Sequence, residues 1–307
     1  MPVFNGYGNL GDYVQTIAVK NALLTIFGNK LNFDFWDRDC LSFYSSKENE
    51  KITCIMQAWL SHTESFFTNH TINHVWLGTH FENETRNYLE KVFCIRRPKD
   101  LFNHDIGCRD LTTLNFCKKH NIDAYLSRCL TLTLPKRPTL TSQTKVFLVN
   151  IPLDWEQYIP DEKLKKAERI NQRGPYLQHE HWTNTYKRTE QLLNKYSTEA
   201  ELVITTALHV ASPCLAMGIP VVLIADNPDE NFQRFSALSG LIRVYTLKEL
   251  QEKKINFYPE NFDIQDLKEK MLKNLELSIK QSWGDCVSSS ELMEVREFIQ
   301  QYHLLND

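Results

Sequence analysis

The apolar positions of this chain fall in short runs separated by helix-length amphipathic stretches, and the densest pair of runs lies past the middle. Leu202–Ile204 and Val221–Ile224 are rich in branched residues and do not alternate with polar ones. They predict strands buried on both faces, as in a parallel sheet. Between them a helix-length segment carries one histidine, His209. It ends at Gly218 and Pro220, residues that stop a helix and return the chain to the sheet. The unit reads strand–turn–helix–strand, with Thr205, Thr206 and His209 where the first strand ends. Ligands of open α/β sheets bind at the carboxyl ends of strands, and a helix N-terminus there offers unpaired N–H groups to an anion. A lone histidine on an apolar helix is commonly a packed core residue. Its place at a strand end is what makes His209 a candidate.

The pattern extends in both directions. Val3–Phe4 predicts a short strand, Asn5–Asp12 (NGYGNLGD) a glycine- and asparagine-rich turn, and YVQTIAVKNALLTIFG a helix ending at Gly28. Strand, glycine loop and helix together can hold a charged ligand group on backbone N–H groups. The loop is not GxGxxG, so a dinucleotide has little support. NFDFWDRD, KITCIMQAW and Glu90–Cys94 predict strands. His70 and His74 would share one face of a helix, but with no HExxH and no third ligand they do not define a metal site. Asp110 predicts the N-cap of a helix LTTLNFCKKH, with Lys118, Lys119 and His120 at its C-terminal end. Arg109 then precedes a helix N-terminus, where pairing with a neighbouring carboxylate competes with a ligand role. NIDAYLSRCLTLTLP predicts strand, bend and strand; Lys136–Lys145 a linker; KVFLVNI a strand; Ile159–Arg173 a charged helix. Gly174–Trp182, with His179 and His181, reads as an exposed loop. TNTYKRTEQLLNKYSTEA is an amphipathic helix and LSGLIRVYTLKELQ a strand and helix. The last two helices are expected at Gln265–Gln281 and from Ser288–Ser290 onward. The alternation predicts an α/β protein with two Rossmann-like doubly wound domains facing across a cleft, divided as 1–140 and 141–285, with a C-terminal helix at 286–307.

Composition narrows the function classes. The 307 residues are 42% hydrophobic and 24% charged, with a net charge of −3. That is ordinary for a soluble globular protein and gives no support for a nucleic-acid partner. No apolar run approaches the ~20 residues needed to span a bilayer. The N-terminus lacks the basic region and apolar core of a signal peptide, so the expected location is the cytoplasm. Eight cysteines are scattered without a CxxC pair and read as reduced core thiols. No metal and no cofactor are expected.

Four motifs then combine. GNLGDYVQTIA, IGCRDLTT, SRCLTLTLP and VITTALHVASPCLAMGIPVVLI occur in this order over roughly residues 5 to 245. Together the chain resembles the polysaccharide pyruvyl transferase family. The resemblance implies a glycosyltransferase-B-like fold, with the first domain on the acceptor side and the second on the donor side. It implies transfer of pyruvate from phosphoenolpyruvate onto two hydroxyls of a sugar, giving a ketal and phosphate. The implied acceptor is a glycan or lipid-linked sugar of cell-surface polysaccharide. A lipid-linked acceptor would bring the protein to the inner face of the membrane, where Arg96, Arg97 and Lys99, or Lys136 and Arg137, could meet anionic lipid. His209 matches the family's motif histidine, the implied acid; imidazole suits that role because it titrates near working pH. Arg109 matches the arginine of the GxRD-like motif and is the implied donor clamp, with Thr206, Leu208 and Arg234. Asn9, Gly11 and Asp12 form the loop implied to orient donor or acceptor.

One position departs from the family. Its Arg-Leu-His reads Ala207–Leu208–His209 here. Losing a charge-assisted contact costs at least about 1.5–3 kcal/mol. Either Arg128, Arg173 or Arg234 replaces the missing cation, or the donor differs, or the chain is a non-catalytic glycan binder. A glycosyltransferase holding a nucleotide sugar on Asp226 or Glu230 is the other enzymatic reading.

Overall fold

The structure, a computed structural model, describes residues 8–44, 52–60, 72–102, 104–139, 143–174, 180–225 and 233–304. The chain divides into two compact units. The first gathers Val19–Leu130 and Gln265–Tyr302; the second gathers Thr131–Ile264 with the start of the chain to Ala18 and its end from His303. The divisions expected at 140 and 285 therefore differ from the observed ones, which assign the helix from Gln265 to the first unit. The expected strand Val3–Phe4 and the residues His70, His179, Asp226 and Glu230 lie outside the described residues.

In the first unit, β2 (Ile52–Ile55) pairs with β4 (Ile72–Val75), and β3 (Trp59–Leu60) with β5 (Leu77–Phe81), all parallel. Met56 N–H donates to the Val75 carbonyl at 2.8 Å, so these are two strands side by side, each interrupted once. Parallel β6 (Ile106–Cys108) and β7 (Ala124–Leu126) continue the sheet beyond β5. Helices α2 (Asn83–Phe93) and α3 (Leu111–Lys119) make the crossovers. The core is Met56, Leu60, Trp76, Phe81, Leu89, Phe102, Ile106 and Phe116.

Several expectations are corrected here. Glu90–Cys94 is the end of α2, not a strand: Thr85 and Leu89, four residues apart, are buried on one face of a helix. NFDFWDRD forms no strand; Arg38–Phe43 is a 3-10 turn whose start is capped by the Asp37 carboxylate accepting from Asp39 N–H at 3.0 Å. His74 sits on β4, so its pairing with His70 on one helix face is not made. Leu130–Thr133 is a 3-10 turn and not a second strand. Of the eight cysteines, all free, Cys94 and Cys286 are exposed while Cys108, Cys117, Cys129 and Cys214 are buried.

The last two helices, α8 (Gln265–Ser282) and α9 (Ser289–Gln301), complete this unit. Ser288 caps α9 by accepting from Glu291 N–H at 3.3 Å. Arg128 closes its other end. Its Nε donates to the Ile299 carbonyl at 3.0 Å and its Nη2 to the Tyr302 carbonyl at 2.9 Å. These carbonyls have no partner within the helix, and a cation suits the negative end of its dipole. Burial lowers the Arg128 pKa to about 10, which leaves it charged at neutral pH. Arg128 is thus engaged at the end of α9.

The second unit is built on a five-stranded parallel sheet in the order β13-β12-β11-β8-β9. The strands are β8 (Lys145–Val149), β9 (Ala167–Ile170), β11 (Ala200–Thr205), β12 (Val221–Ala225) and β13 (Val244–Thr246). As predicted, β8, β11 and β12 are apolar runs buried on both faces. The chain leaves β8 for β9 on one side, then crosses back to build β11, β12 and β13 on the other. That is a doubly wound order, with its reversal between β8 and β11. Helices α5 (Trp182–Glu199) and α6 (Leu208–Ala216) lead into β11 and β12, and α7 (Leu247–Gln251) follows β13. The helix expected over Ile159–Arg173 shrinks to one turn, α4 (Asp161–Leu164), followed by β9. An edge strand tolerates charge, and Glu168 of β9 is paired with Lys145 at 3.0 Å and with Lys195. Helix α1 (Leu10–Phe27) starts in this unit and ends in the first. Ahead of it, β1 (Gly8–Asn9) pairs antiparallel with β10 (Arg173–Gly174). No helix among the described residues is long and apolar enough to cross a membrane.

Replacing Arg128 with methionine keeps the buried volume but strands two carbonyls at the end of α9. At about 1.5–3 kcal/mol for each bond to a charged donor, Arg128→Met is expected to destabilise the protein by about 3 kcal/mol or more. Urea unfolding followed by far-UV circular dichroism measures this.

Candidate functional site

The strand order reverses between β8 and β11, and polar residues collect at their carboxyl ends. Asn150 follows β8 in a left-handed conformation, φ 56°. Its side-chain oxygen accepts from Gln172 N–H at 2.9 Å, and its carbonyl accepts from the Thr206 hydroxyl at 3.2 Å. Thr205 Oγ1 in turn accepts from Ala207 N–H at 3.0 Å. Thr206 therefore ties the ends of the two central strands together.

Helix α6 starts immediately after. Ala207 is its N-cap and has no side chain to satisfy the first N–H groups. Leu208 is only 2% exposed and packs into the core, so only its backbone can face a ligand. His209 is 5% exposed and departs from helical geometry inside the helix, at φ −83° and ψ 17°. Pro213 explains the departure. A proline has no N–H for the carbonyl four residues earlier, and its ring collides with that carbonyl. Here that carbonyl belongs to His209.

The released turn meets Gly11. A Cβ on Gly11 would lie 3.0 Å from His209 Cβ, 3.2 Å from His209 Nδ1 and 3.1 Å from Asn9 Oδ1. Glycine is what permits this approach. Asn9 Oδ1 accepts from Gly11 N–H at 3.0 Å, and Leu10 N–H donates to the Gln172 carbonyl at 3.0 Å. Asn9 lies opposite Arg173 in the β1–β10 pair, so the exposed Arg173 shares its face of that ribbon. Asn9, Gly11, Thr206 and His209 are thus gathered at one end of the sheet. Asp12 lies in the first turn of α1 and not in a loop; Gln15 Nε2 donates to its carboxylate at 3.3 Å. Arg234 is half-buried and follows residues 226–232, which lie outside the described residues.

In the first unit, Arg109 is also at a strand end, and it is not the surface residue its sequence context allowed. It is fully buried, and its backbone N–H donates to the Thr79 carbonyl of β5 at 2.8 Å. Its Nε donates to Asp110 Oδ2 at 3.3 Å, while Nη1 and Nη2 are buried with no hydrogen-bond partner among the described residues. Asp110 caps α3 as predicted: Oδ1 accepts from Thr113 N–H and Thr113 Oγ1, both at 3.1 Å. Asp110 Oδ2 also takes His80 Nδ1 at 2.6 Å, and His80 Nε2 lies 3.1 Å from Glu82 Oε2. Trp59 Nε1–H donates to the same Glu82 oxygen at 3.1 Å. His80 and Glu82 were not singled out from the sequence.

The charges fit this geometry. Burial pushes the Asp110 carboxyl up, but His80 and Arg109 beside it outweigh burial and bring its pKa down to about 2. The bond from His80, against the smaller cost of burial, brings Glu82 to about 2 as well. Both are ionised at neutral pH. Among the described residues no group of three or more His, Cys, Asp or Glu could hold a metal ion.

A parallel α/β protein with a doubly wound sheet, and with its polar residues at the carboxyl ends of strands, is built to bind ligands there. The sequence model of the polysaccharide pyruvyl transferase family matches residues 9–228, and the chain belongs to that family of transferases. The match spans Asn9, Arg109 and His209. No curated protein and no solved structure matches the chain.

Two outcomes test the geometry. Gly11→Ala exchanges glycine for the best helix former, worth up to ~1 kcal/mol, while its Cβ displaces His209 or Asn9 by a few tenths of an ångström. Stability is expected to hold or rise as turnover drops about tenfold or more; melting curves and initial rates check both. Asp110 has a depressed pKa, so its stabilisation is present above the unfolded value near pH 4 and is lost as pH falls towards 2. Stability should decline by about 2 kcal/mol over that window. Asp110→Asn should flatten the decline in pH-dependent urea unfolding.

Proposed function

We propose that the protein transfers pyruvate from phosphoenolpyruvate to two hydroxyls of a sugar, forming a ketal and releasing inorganic phosphate. The observation that carries this reading is His209, set at the switch point of the doubly wound sheet by the Pro213 kink and the Gly11 approach. A protonated His209 delivers its proton to the methylene carbon of the enol phosphate. The cation left at the neighbouring carbon takes one sugar hydroxyl, and the second hydroxyl displaces phosphate. One hydroxyl proton restores the imidazolium and the other leaves with phosphate, so the enzyme is unchanged after a turnover.

The donor carries a carboxylate and a phosphate, which call for cationic forks. Arg109, with both terminal nitrogens unpartnered among the described residues, is the proposed clamp in the first unit. In the second unit, Thr206, the backbone at Leu208, Asn9 and Gly11 are proposed to orient substrate around His209, with Arg173 the cation beside them. Arg234 keeps a donor role in the same proposal. The acceptor is proposed to be a sugar of a cell-surface glycan, free or lipid-linked. With a lipid-linked sugar the protein would work at the inner face of the membrane. The exposed Arg96, Arg97 and Lys99 suit that contact, whereas Lys136 and Arg137 are engaged by Asp263 and the Ala200 carbonyl.

Thermal shift against phosphoenolpyruvate and a panel of nucleotide sugars tests the donor. A ligand at ~100 times its dissociation constant adds about 2.7 kcal/mol, so a shift of several degrees is expected with phosphoenolpyruvate alone. A shift only with a nucleotide sugar moves the assignment to glycosyl transfer. His209→Gln should keep the shift and lose phosphate release by a factor of about 10²–10⁴; unchanged turnover would remove the acid role.

A further inference from the structure

His80 occupies a position the proposed reaction does not use. Its ring lies between two carboxylates, with Nδ1 2.6 Å from Asp110 Oδ2 and Nε2 3.1 Å from Glu82 Oε2. An ionised carboxylate only accepts hydrogen bonds. Both ring nitrogens must therefore carry hydrogen for both contacts to be bonds, and the ring is then an imidazolium. The groups facing it are Asp110 and Thr113 from the start of α3, Glu82 from the end of β5, with Arg109 beyond Asp110 and Trp59 beyond Glu82. The row reads Arg109 plus, Asp110 minus, His80 plus, Glu82 minus.

The distances say which cation Asp110 serves. His80 and Arg109 share its Oδ2, at 2.6 and 3.3 Å respectively. The short bond goes to imidazolium. Arg109 keeps one long contact through Nε, and its two terminal nitrogens stay unpartnered among the described residues though buried. A buried arginine facing a lone carboxylate would instead close on it as a bidentate pair and present little charge to anything else. We infer that His80, held as an imidazolium by Glu82, occupies Asp110 and so keeps the terminal nitrogens of Arg109 open for an anionic ligand carrying a carboxylate or phosphate. His80 and Glu82 are positioning residues; they act through Asp110 on Arg109. This rests on the reading of Arg109 as the donor clamp.

A simpler role is a staple joining the end of β5 to the start of α3, and the test separates the two. Histidine-labelled protein at pH 7.5 gives ring nitrogen spectra in which His80 is expected to carry hydrogen on both nitrogens, and Glu82→Gln to show one bare nitrogen. The dissociation constants of inorganic phosphate and of phosphoenolpyruvate should rise about tenfold in Glu82→Gln, the scale of diverting one charge-assisted bond of Arg109 from the ligand to Asp110. Melting temperature should hold within a few degrees, and kcat at saturating donor should not change. Arg109→Gln should abolish anion binding altogether. A neutral His80 ring in the unsubstituted protein overturns the inference. So does a Glu82→Gln protein that loses the proton yet binds both anions as before. If the unsubstituted protein binds neither anion, the donor reading fails, and the ring spectra alone decide whether His80 carries the charge.

Discussion

Proline cannot give an N–H to the carbonyl four residues behind it, and Pro213 imposes that on His209. The polar end of the second unit depends on this one missing bond. The first turn of α6 relaxes out of helical geometry, and His209 is carried against the backbone of Gly11. That approach leaves no room for a Cβ at position 11 unless His209 or Asn9 shifts by a few tenths of an ångström. It also fixes the first turn of α1, which is tied in turn to Gln172 and, through Asn9, to β10. Thr206 and Asn150 lock the strand ends beneath. None of these bonds is strong alone; each is worth about 1 kcal/mol net. Their value is positional, because they hold one imidazole at the place where a doubly wound sheet receives ligand.

The first unit poses a different problem, that of two buried arginines. Arg128 and Arg109 are both buried, yet Arg128 donates to two helix-end carbonyls while Arg109 has a single side-chain bond. Burial is therefore not the distinguishing cost. A buried charge with unmet donors forfeits several kcal/mol unless something meets them. The fold has met them fully at a structural position. At a strand end it has instead left the arginine with one side-chain contact, to an Asp110 oxygen that His80 also bonds.

The legible parts of the sequence were those where local pattern and final environment agree. β11 and β12 read as buried parallel strands because Leu202–Ile204 and Val221–Ile224 are apolar at every position. Asp110 read as a cap because a carboxylate directly precedes a helix-forming stretch, and its side chain does accept from Thr113 N–H. β9 was missed because an edge strand carries Glu168 and Arg169, charges that also suit a helix. The end of α2 was taken for a strand because Val92 and Phe93 are good strand formers taken alone, while the helical spacing from Thr85 to Leu89 only shows over a longer window. The placement of α8 and α9 with the first unit depends on contacts such as Tyr125 to Asn274, which no local pattern encodes. At the site, His209, Arg109, Asn9 and Gly11 stood out through their motifs. His80 and Glu82 did not, although a signal was there: alternation along a strand end puts residues two apart on one side.

Ala207 sharpens the electrostatics of the second unit. Ala207 gives the start of α6 no capping side chain, so nothing from that position screens the positive end of the helix dipole. That dipole is worth about 0.3–1 kcal/mol, up to ~2 in a partly buried setting. A bidentate arginine contact is worth about 1.5–3 kcal/mol. The helix end alone therefore falls short of what an arginine at position 207 would give. For an anionic ligand a side-chain cation would make up that difference. Arg128 is spent on α9, whereas Arg173 is exposed and stands opposite Asn9 across the β1–β10 pair. Strand pairing, and not sequence proximity, is what sets the exposed Arg173 opposite Asn9 at this end of the sheet.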